Sequence, residues 1–306
     1  MPRKRSRPSQ VGQKPSAVQA FSVRDFFAEF SSDDICLTRI MEVRYGLRHV
    51  CGKCGNDSTF HKLAERRAFS CSHCGDHVYP CAGTIFQDSR TPLQTWFYAI
   101  YLFIATRHGV SAKEMQRTLG VTYKTAWRMG HQIRDLMGKV DTFQALKGHV
   151  EIDEAFFGGK RTQAEGGRNA KTIILGMKER GGRVETKIIP NVKMATLREA
   201  VLDNVEKGST VSTDELSAYN LLKRDGYTHG AVDHSRKEWA WTDRPTGIKF
   251  STNGIESFWK LFKDSVNGTH IHISPKHLDR YLGEFSFRSN HRQMKNAMFD
   301  LLIAAL

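Results

Sequence analysis

The cysteines constrain the fold more than any other feature of this sequence. They occur only between positions 36 and 81, and four of them form two Cys-x-x-Cys pairs, Cys51/Cys54 and Cys71/Cys74, with sixteen residues between the pairs. Two such pairs supply four thiolates to one tetrahedral zinc ion. A glycine follows each pair, which suits a tight knuckle turn. The spacing therefore predicts a structural Zn²⁺ site that holds a ribbon together and leaves no ligand position open for chemistry.

Two other arrangements of these cysteines stay open. The four thiols could form two disulfides, although a cytosolic chain disfavours them. His73, inside the second pair, is an alternative ligand to one of the cysteines. We favour the four-cysteine site because the pairs are spaced as in a zinc ribbon, and because residues 58–62 and 67–70 between them resemble short strands.

The charge balance limits the class of partner. The 306 residues include 46 Lys and Arg against 32 Asp and Glu, which gives a formal net charge of +14. This excess favours a polyanion, and DNA in particular, although high charge also serves solubility alone. No run approaches the roughly 18–20 apolar residues of a membrane span. The basic N-terminus lacks the apolar core of a secretory signal. We therefore expect a cytoplasmic protein without membrane contact.

The texture of the chain divides it into four segments. Residues 1–18 are rich in Arg, Lys, Pro and Ser, which predicts a disordered basic arm. Residues 19–88 combine two helices, at 23–30 and 33–44, with the zinc ribbon, and residues 89–145 have helical periodicity. Residues 146–306 change to strands alternating with helices, which predicts an α/β domain with a mixed sheet. The predicted strands are 149–157, 172–178, 184–190, 210–214 and 228–234, and the predicted helices are 195–205, 216–224, 253–266 and 276–305.

A helix, a glycine and a second helix follow one another within residues 89–145. Ser111 and Glu114 form a capping-box pattern at the start of the first helix. Gly120 ends that helix and Thr122 caps the next. This is the helix-turn-helix pattern, although generic helical hairpins share it. The second helix would present three side chains to DNA: Tyr123, Lys124 and Arg128.

Two acidic residues, Asp153 and Asp214, lie at positions in predicted strands that indicate a functional site. Alternation along the strand predicted for 149–157 puts Glu151 and Asp153 on the same face. A carboxylate in such an apolar strand is costly to bury without a partner. Asp214 ends the strand predicted for 210–214, and the carboxyl end of an interior strand is where α/β sheets keep their sites.

A third carboxylate lies on the helix predicted for residues 253–266. At about 100° per residue, one face of this helix is an apolar stripe that packs on the sheet. The other face gathers an amide, a carboxylate and two ammonium groups: Asn253, Glu256, Lys260 and Lys263.

These carboxylates suit phosphodiester chemistry. Cleavage and strand transfer of DNA need two divalent cations about 4 Å apart, and Mg²⁺ takes oxygen ligands. Asp153, Asp214 and Glu256 would supply the ligands, and Lys260 or Lys263 would hold a DNA phosphate. Each acid also has an ordinary explanation: a salt bridge for Asp153, a helix cap for Asp214, and an i,i+4 pair with Lys260 for Glu256. We favour a metal site, because all three explanations must otherwise hold together in a basic chain with a zinc ribbon.

Three motifs carry a resemblance to a known family: Val150–Lys160, Ser212–Tyr219 and Thr252–Lys263. With the cysteine pairs, they are similar to the bacterial insertion-sequence DDE transposases with an N-terminal zinc ribbon, relatives of the eukaryotic Merlin elements. The resemblance implies an RNase-H-like catalytic domain and Mg²⁺- or Mn²⁺-dependent cutting and joining of DNA ends. It implies that the ribbon and the helix-turn-helix recognise terminal inverted repeats. Because two ends must meet, a homodimer or higher assembly on DNA is expected.

The resemblance also implies roles for individual residues. Asp153 matches the first acid of the family and Asp214 the second. Members use either Glu or Asn at the third position, so Glu256 and Asn253 are both candidates. We favour Glu256 because Lys263 follows seven residues later, where the family places a basic residue. Asn253 would then be a neighbouring or substitute ligand.

Three further residues near these motifs are candidates for DNA contact. His234 follows a predicted strand and could contact DNA or a phosphate, although a hydrogen-bonded surface histidine explains it equally well. Trp239 and Trp241 precede the third motif and could stack on unpaired bases at the transposon end. Packing is the more ordinary role for one of the two.

The sequence as a whole is interpreted as a transposase associated with the bacterial nucleoid. One alternative is a catalytically silent DNA-binding protein or repressor derived from such an element. Another is a nuclease of the same fold that hydrolyses DNA without joining ends. The metal site is the same for nuclease and transposase, so only the resemblance separates them here.

Overall fold

The computed structural model of the chain describes residues 21–140, 144–158, 171–294 and 297–306. The basic arm expected for residues 1–18 lies outside the described residues. The described part begins with two helices close to their expected positions, α1 (Val23–Glu29) and α2 (Asp33–Arg44). Serine hydroxyls cap both helices, because Ser22 accepts from the N–H of Asp25 and Ser32 from the N–H of Ile35.

A four-stranded antiparallel sheet follows and forms the ribbon. Its strands pair in chain order: β1 (Arg48–Val50), β2 (Asp57–Lys62), β3 (Phe69–Cys71) and β4 (His77–Val78). The two cysteine pairs lie at the tight turns that join β1 to β2 and β3 to β4. The antiparallel pairing of β2 with β3 brings the two turns together, with Phe60 opposite Cys71.

Three helices continue the N-terminal half: α3 (Leu93–Ala105), α4 (Ala112–Leu119) and α5 (Tyr123–Val140). The Ser111 hydroxyl accepts from the N–H of Glu114 and so caps α4. Gly120 ends α4 in the left-handed conformation at φ +65°, which favours glycine. The Thr122 hydroxyl accepts from the N–H of Thr125 and caps α5. These caps and this break are the ones expected from the sequence.

The N-terminal helices share one apolar core with the last helix of the chain, α9 (Ala297–Ala304). The ring centroid of Phe299 lies 5.1 Å from that of Phe30 and 5.4 Å from that of Phe97. Arg39 of α2 also donates a hydrogen bond to Asp300 of α9. The chain therefore returns to its first core after it has completed the α/β region. No helix within the described ranges is long and apolar enough to cross a membrane.

The C-terminal half is built on a five-stranded mixed sheet. Its strands are β5 (His149–Phe157), β6 (Thr172–Glu179), β7 (Val184–Ile189), β8 (Thr210–Asp214) and β9 (Thr228–Val232). Their order across the sheet is β7-β6-β5-β8-β9. Neighbours among β5, β6 and β7 are antiparallel, whereas β8 runs parallel to β5 and β9 parallel to β8. The mixed α/β sheet expected from the sequence is confirmed.

Helices cover both faces of this sheet. One face carries α6 (Met194–Asn204), and the other carries α7 (Asn253–Ser265) and α8 (Leu278–His291). Gly176 on β6 allows α7 to lie close, because a Cβ at that position would be 2.4 Å from the ring of Trp259. Asp153 pairs with Gly176 across the ladder, and directly paired residues project from the same face. Asp153 therefore projects on the side of α7.

Two predicted helices differ from the structure. The helix expected over 216–224 is a 3₁₀ turn, Ser217–Tyr219. The Tyr219 side chain is buried and donates a hydrogen bond to Glu154, so a tertiary contact fixes this segment rather than a helical pattern. The continuous helix expected over 276–305 is divided into α8 and α9.

The segment after β9 also differs. The strand expected to reach His234 ends at Val232, because the Asp233 carboxylate accepts from the N–H groups of Ser235 and Arg236 and begins a 3₁₀ turn. A short hairpin that the sequence did not indicate follows, with strands β10 (Ala240–Thr242) and β11 (Lys249–Ser251).

Candidate active site

The acidic residues lie where two neighbouring strands separate. β5 pairs with β8 only over His149–Glu151 and Thr210–Ser212. Beyond that point β5 continues beside β6, and no further pairing with β8 is formed. Asp153 and Asp214 each lie two residues beyond the last pair, so their side chains flank the gap. For Asp214 this is the carboxyl-end position that the sequence indicated. Asp153 lies in the middle of β5, as expected, and reaches the gap because β5 extends past β8.

Three carboxylates converge in this gap: Asp153, Glu154 and Asp214. One oxygen from each lies within 4.8 Å of the others. Burial, followed by the charge of Asp214, raises the pKa of Asp153 to about 6. Burial raises the pKa of Glu154 to about 7, against a lowering by the hydrogen bond from Tyr219. Within the described residues, no Lys or Arg forms an ion pair with any of the three. Half-buried carboxylates that repel one another fit a divalent cation with oxygen ligands.

Glu256, the expected third ligand, lies beside this cluster in the first turn of α7, but it is not one of the carboxylates whose oxygens lie within 4.8 Å of one another. Its Oε1 accepts a hydrogen bond from the Thr252 hydroxyl at 2.8 Å and lies 3.1 Å from Nε2 of His234. Its charge also raises the pKa of Asp153. Asn253, the alternative at the third position, is exposed at the first residue of α7. Its backbone carbonyl accepts from the Ser257 hydroxyl.

Glu151 is a residue whose role the sequence did not indicate. Its side chain is buried on the same face of β5 as Asp153, and Oε2 accepts from the N–H of Gly254 at 2.6 Å and of Ile255 at 3.1 Å. A carboxylate at the first turn of a helix satisfies free N–H groups and favours the positive end of the helix dipole. A Cβ on Gly254 would lie 2.6 Å from this oxygen, so glycine leaves room for the carboxylate. Glu151 thus ties the start of α7, and with it Glu256, to the strand of Asp153.

Arg180 completes this connection. Its Nη2 lies 3.1 Å from Oε1 of Glu151, and it also donates to the carbonyl of Lys249 and the hydroxyl of Ser251 on β11. The guanidinium therefore links β5 with the strand that leads into α7. Alternation along the strand predicts that Glu151 lies on the face of Asp153. No pattern in the sequence indicates that Arg180 is the partner of Glu151.

Glu154 is the second residue that sequence reasoning missed. Alternation assigns Glu154 to the face opposite Asp153, yet its carboxylate joins Asp153 and Asp214. It does so at the end of β5 that has no strand beside it on the β8 side. Tyr219 donates a hydrogen bond to Glu154, and burial and the charge of Glu154 raise the pKa of that phenol.

The predicted DNA-contacting residues around the site lie at its surface. Lys260 and Lys263 are exposed on α7. His234 is half-buried between Glu256 and Trp239, whose ring centroid is 5.1 Å away. Trp239 is 56% exposed, so its ring is available to a ligand.

Trp241 is used differently from Trp239. It donates its indole N–H to the carbonyl of Ala231 and stacks on Phe250 at a centroid distance of 4.8 Å. Its ring is therefore engaged in packing, as expected for one of the two tryptophans.

The N-terminal end of α5 presents the residues predicted to read DNA. Tyr123 is 45% exposed, Lys124 and Arg128 are exposed, and Nζ of Lys113 lies 4.8 Å above the ring of Tyr123. The other half of α5 is buried against α8, where Arg134 forms an ion pair with Glu284 at 2.7 Å. The helix α5 is thus fixed to the α/β half of the chain through its contact with α8.

The cysteine pairs form a compact set in the ribbon. One sulfur from each of the four lies within 4.8 Å of the others, and the sulfurs of Cys51 and Cys74 are 3.7 Å apart. Tetrahedral zinc with bonds of about 2.3 Å requires about 3.8 Å between sulfurs. A disulfide would require about 2.05 Å. The arrangement therefore fits Zn²⁺. Among the described residues, the set of possible ligands at this place consists of the four cysteines and does not include His73.

Comparison with known proteins gives the class. Residues 145–290 match the family model of the ISXO2-like transposase domain, and residues 31–77 match that of the transposase zinc-ribbon domain. A transposase-like protein of Haemophilus influenzae is 30% identical over 117 residues, which cover 37% of this chain and 86% of that protein. A protein in transposable element ISH50 of Halobacterium salinarum is 25% identical over 301 residues, or 90% of this chain and 98% of that protein. The chain belongs to the insertion-sequence transposases with an ISXO2-like DDE domain and a zinc ribbon.

Proposed function

We propose that this protein binds the terminal inverted repeats of an insertion sequence and catalyses divalent-metal-dependent DNA cleavage and strand transfer. The observation that carries this proposal is the convergence of Asp153, Glu154 and Asp214, with Glu256 beside them, in a chain of net charge +14. Such a cluster is expensive to maintain without a cation, and the surrounding positive charge suits a DNA substrate.

The architecture supports an RNase-H-like catalytic domain over residues 146–306. Three antiparallel strands, β5, β6 and β7, are followed along the chain by two parallel ones, β8 and β9. Their order across the sheet, β7-β6-β5-β8-β9, puts the first strand of the domain in the centre. We assign residues 19–88 to the ribbon region and residues 89–145 to a helix-turn-helix-like DNA-binding region. In this assignment Tyr123, Lys124 and Arg128 contact the DNA of the transposon end.

The metal ligands we propose are Asp153, Asp214 and Glu256. Two Mg²⁺ or Mn²⁺ ions held there would activate the attacking oxygen and stabilise the leaving one. The Thr252 hydroxyl and His234 both contact Oε1 of Glu256 and so position its carboxylate. Glu154 adds a further carboxylate to the cluster, and Asn253 remains a substitute ligand.

The cationic and aromatic side chains near the cluster bind and orient DNA. Lys260 and Lys263, exposed on α7, are assigned to phosphates of the strand that reaches the carboxylates. His234 contacts the same strand or positions Glu256. The exposed ring of Trp239 offers a stacking surface for an unpaired base.

The cofactors and assembly follow from the same proposal. We assign a structural Zn²⁺ to Cys51, Cys54, Cys71 and Cys74, because the sulfur positions suit a tetrahedral ion. Since two transposon ends must be brought together, we propose a homodimer or higher assembly on DNA, in the cytoplasm.

The test is strand transfer in vitro with the end duplex of the element, plasmid DNA and Mg²⁺ or Mn²⁺. We expect joined product from the wild type, and loss of joining with retained DNA binding in Asp153→Asn, Asp214→Asn and Glu256→Gln. If Asn253→Ala abolishes joining and Glu256→Gln does not, the third ligand is Asn253. Nicking without joining would identify a nuclease. Tight end binding without nicking or joining would favour the silent repressor.

A further inference from the structure

A groove of about 330 Å³ lies on the N-terminal helices, between the end of α1 and one face of α2. Its residues on α2 run from Asp34 to Glu42 at intervals that place them on the same side of the helix. At a rise of 1.5 Å per residue, these two carboxylates are about 12 Å apart along the helix axis. About four residues of extended peptide span that length.

Negative charge dominates this groove, although the chain as a whole carries a net charge of +14. Glu29, Asp34 and Glu42 line it together with Arg39. Arg39 is already shared, because it donates a hydrogen bond to Asp300 and lies 3.9 Å from Glu42. The hydrogen bond to Asp300 and the charges of Glu29 and Glu42 raise the pKa of Arg39. One guanidinium group therefore serves three carboxylates.

The remaining contacts leave part of this negative charge uncompensated. Lys62 pairs with Asp34 at 2.8 Å, yet the Asp34 side chain is still 68% exposed. Within the described ranges of the chain, the Glu29 carboxylate forms no ion pair. Glu42 is 42% exposed, and its contact with Arg39 is long. A cationic segment lying in the groove would neutralise these carboxylates.

The groove also offers an apolar contact. Phe30, which is 2% exposed, forms its floor, and Ile35 on its wall is 41% exposed. An exposed aliphatic side chain between carboxylates suits a segment in which cations alternate with small or aliphatic residues.

The position of the first described residue connects the groove with the basic arm predicted for residues 1–18. A smaller cavity of about 100 Å³ adjoins the groove, since Glu29 and Phe30 line both. Phe21 lines this smaller cavity. The basic arm, which ends three residues before Phe21 in the sequence, is therefore tethered beside one end of the groove.

The composition and length of the basic arm match the groove. Residues 1–18 contain no carboxylate side chain and five cations: Arg3, Lys4, Arg5, Arg7 and Lys14. At about 3.3 Å per residue, an extended chain carries Lys14 up to about 23 Å from Phe21 and Arg7 up to about 46 Å. Both distances exceed the length of the groove. Because the arm is tethered, its effective concentration at the groove is on the order of millimolar, which favours binding through weak, exposed ion pairs.

We propose that this groove binds the basic arm of the same chain, with the cations of the arm beside Glu29, Asp34 and Glu42. The bound arm holds positive charges that would otherwise attract DNA phosphates, so the groove and DNA compete for the same segment. Only this competition rests on the proposed function, because docking of the arm needs no DNA.

Zero-length crosslinking of the full chain with a carbodiimide tests the docking. The reagent joins a lysine amine to a carboxylate that it touches, and mass spectrometry identifies the joined peptides. We expect crosslinks from Lys4 or Lys14 to Glu29, Asp34 or Glu42. The ion pair of Lys62 with Asp34 supplies an internal reference for a folded groove. The reference crosslink without any crosslink from the arm would overturn the proposal.

A double variant measures the contribution of the groove charge. Glu29→Gln combined with Glu42→Gln should lower crosslinking of the arm to the retained Asp34 by about fivefold, because two exposed ion pairs are lost. Glu199→Gln combined with Glu206→Gln is the matched control, since it removes the same charge from exposed positions outside the groove. Equal losses in the two double variants would show a general charge effect and overturn the proposal.

Isotope mixing identifies the chain that supplies the arm. Protein of natural isotope content is mixed with ¹⁵N-labelled protein before crosslinking. Arm crosslinks in which both peptides carry the same label support binding within one chain. Crosslinks with one labelled and one unlabelled peptide, in the proportion expected for random exchange, would assign the groove to the arm of a second copy and overturn the proposal.

Added duplex DNA tests the competition. The yield of arm crosslinks should fall as DNA is added, while the crosslink between Lys62 and Asp34 stays constant. An unchanged yield of arm crosslinks with DNA bound would overturn the competition. Arm crosslinks in a protein that joins no DNA ends would overturn the proposed function alone, because the coupling reaction needs no catalysis by the protein.

Discussion

The Glu151 carboxylate accepts a hydrogen bond from the backbone N–H of Gly254, with 2.6 Å between Oε2 and the nitrogen. This contact joins the strand of Asp153 to the helix of Glu256 by a single buried side chain. Because Arg180 neutralises Glu151 and also binds β11, strand, hairpin and helix are fixed to one another. The relative positions of the proposed metal ligands on β5 and α7 depend on it.

Replacement of Glu151 should lower the stability of the protein. Glu151→Ala leaves Arg180 without its partner and the start of α7 uncapped, so we expect a loss of about 3–5 kcal/mol in the free energy of unfolding. Urea denaturation measures this change. Glu151→Gln keeps the shape and one acceptor, and it should lose less stability than Glu151→Ala. Equal stability of both variants and the wild type would contradict the role assigned to Glu151.

Gly254→Ala should disturb the same contact by steric overlap. A Cβ would lie 2.6 Å from Oε2 of Glu151, so the carboxylate must move or α7 must shift. We expect a loss of about 1–3 kcal/mol in unfolding free energy and weaker strand transfer. Gly268→Ala is the control, because a Cβ there meets no atom within 4 Å. A Gly254→Ala protein as stable and active as the control would refute the prediction.

The carboxylate cluster should make the metal-free protein less stable as pH rises. Burial and Asp214 raise the pKa of Asp153 to about 6, above its usual value of about 4, so the folded state binds this proton more tightly than the unfolded chain. Stability present below about pH 4 is therefore lost as pH rises through about 6. Asp153→Asn removes this ionisation and should stabilise the metal-free protein by about 1–3 kcal/mol near pH 8, with no gain below about pH 4.

Thermal unfolding with a chelator across this pH range measures that difference. Asp264→Asn, a change at an exposed carboxylate on α7, serves as the control and should show no such gain. Added Mn²⁺ should reverse the order, because the wild type then gains ligand binding that Asp153→Asn lacks. An Asp153→Asn protein without extra stability at high pH would mean that the carboxylate is not strained.

Removal of zinc should unfold the ribbon. The strands of the ribbon are only two to six residues long, so we expect the bound ion to supply much of the folding free energy of the ribbon. We expect chelation to lower the melting temperature and to remove the thiolate-to-metal charge-transfer absorption of the Co²⁺-substituted protein. Cys74→Ser should lower the melting temperature and weaken that absorption, because three thiolates remain. His73→Ala should leave the charge-transfer and d–d bands of the Co²⁺-substituted protein unchanged, and a change in the d–d bands of this variant would make His73 a ligand.

The two tryptophans near the cluster should respond in opposite ways. Trp239→Ala removes an exposed ring, so the free energy of DNA binding should become weaker by about 1–3 kcal/mol, while the free energy of unfolding stays unchanged. Trp241→Ala removes a stacked ring and a hydrogen bond, so stability should fall instead. Fluorescence anisotropy and urea denaturation distinguish the two effects. The reverse pattern would exchange the roles given to these residues.

Local sequence determined much of the fold. The pairs at Cys51 and Cys71 indicated the ribbon, and Gly120 and Thr122 indicated the break between α4 and α5. The strands β5 to β8 were indicated within one or two residues by apolar runs and by the glycines of the turn between β6 and β7. These features arise from spacing, capping and backbone conformation, which involve residues close in the chain. The position of Asp214 at the carboxyl end of its strand followed from the same local patterns, whereas the pairing register of β5 with β8 brought Asp153 beside it.

Only the tertiary structure decided which acidic residues form the cluster and which make other contacts. Glu154 belongs to the cluster because β5 extends past β8. Glu151 is not part of it and instead caps the start of α7. Glu256 is held beside the cluster by Thr252 and His234. The first two outcomes depend on contacts between residues about 60 and 103 positions apart in the chain, Glu154 with Asp214 and Glu151 with Gly254. The third depends on His234, which lies outside the helix of Glu256. Periodicity identifies which face of an element a side chain occupies, but the electrostatic partner on that face is supplied by another element. The sequence therefore determined the candidates and the class of chemistry, and the packing of α7 on the sheet determined which carboxylates meet.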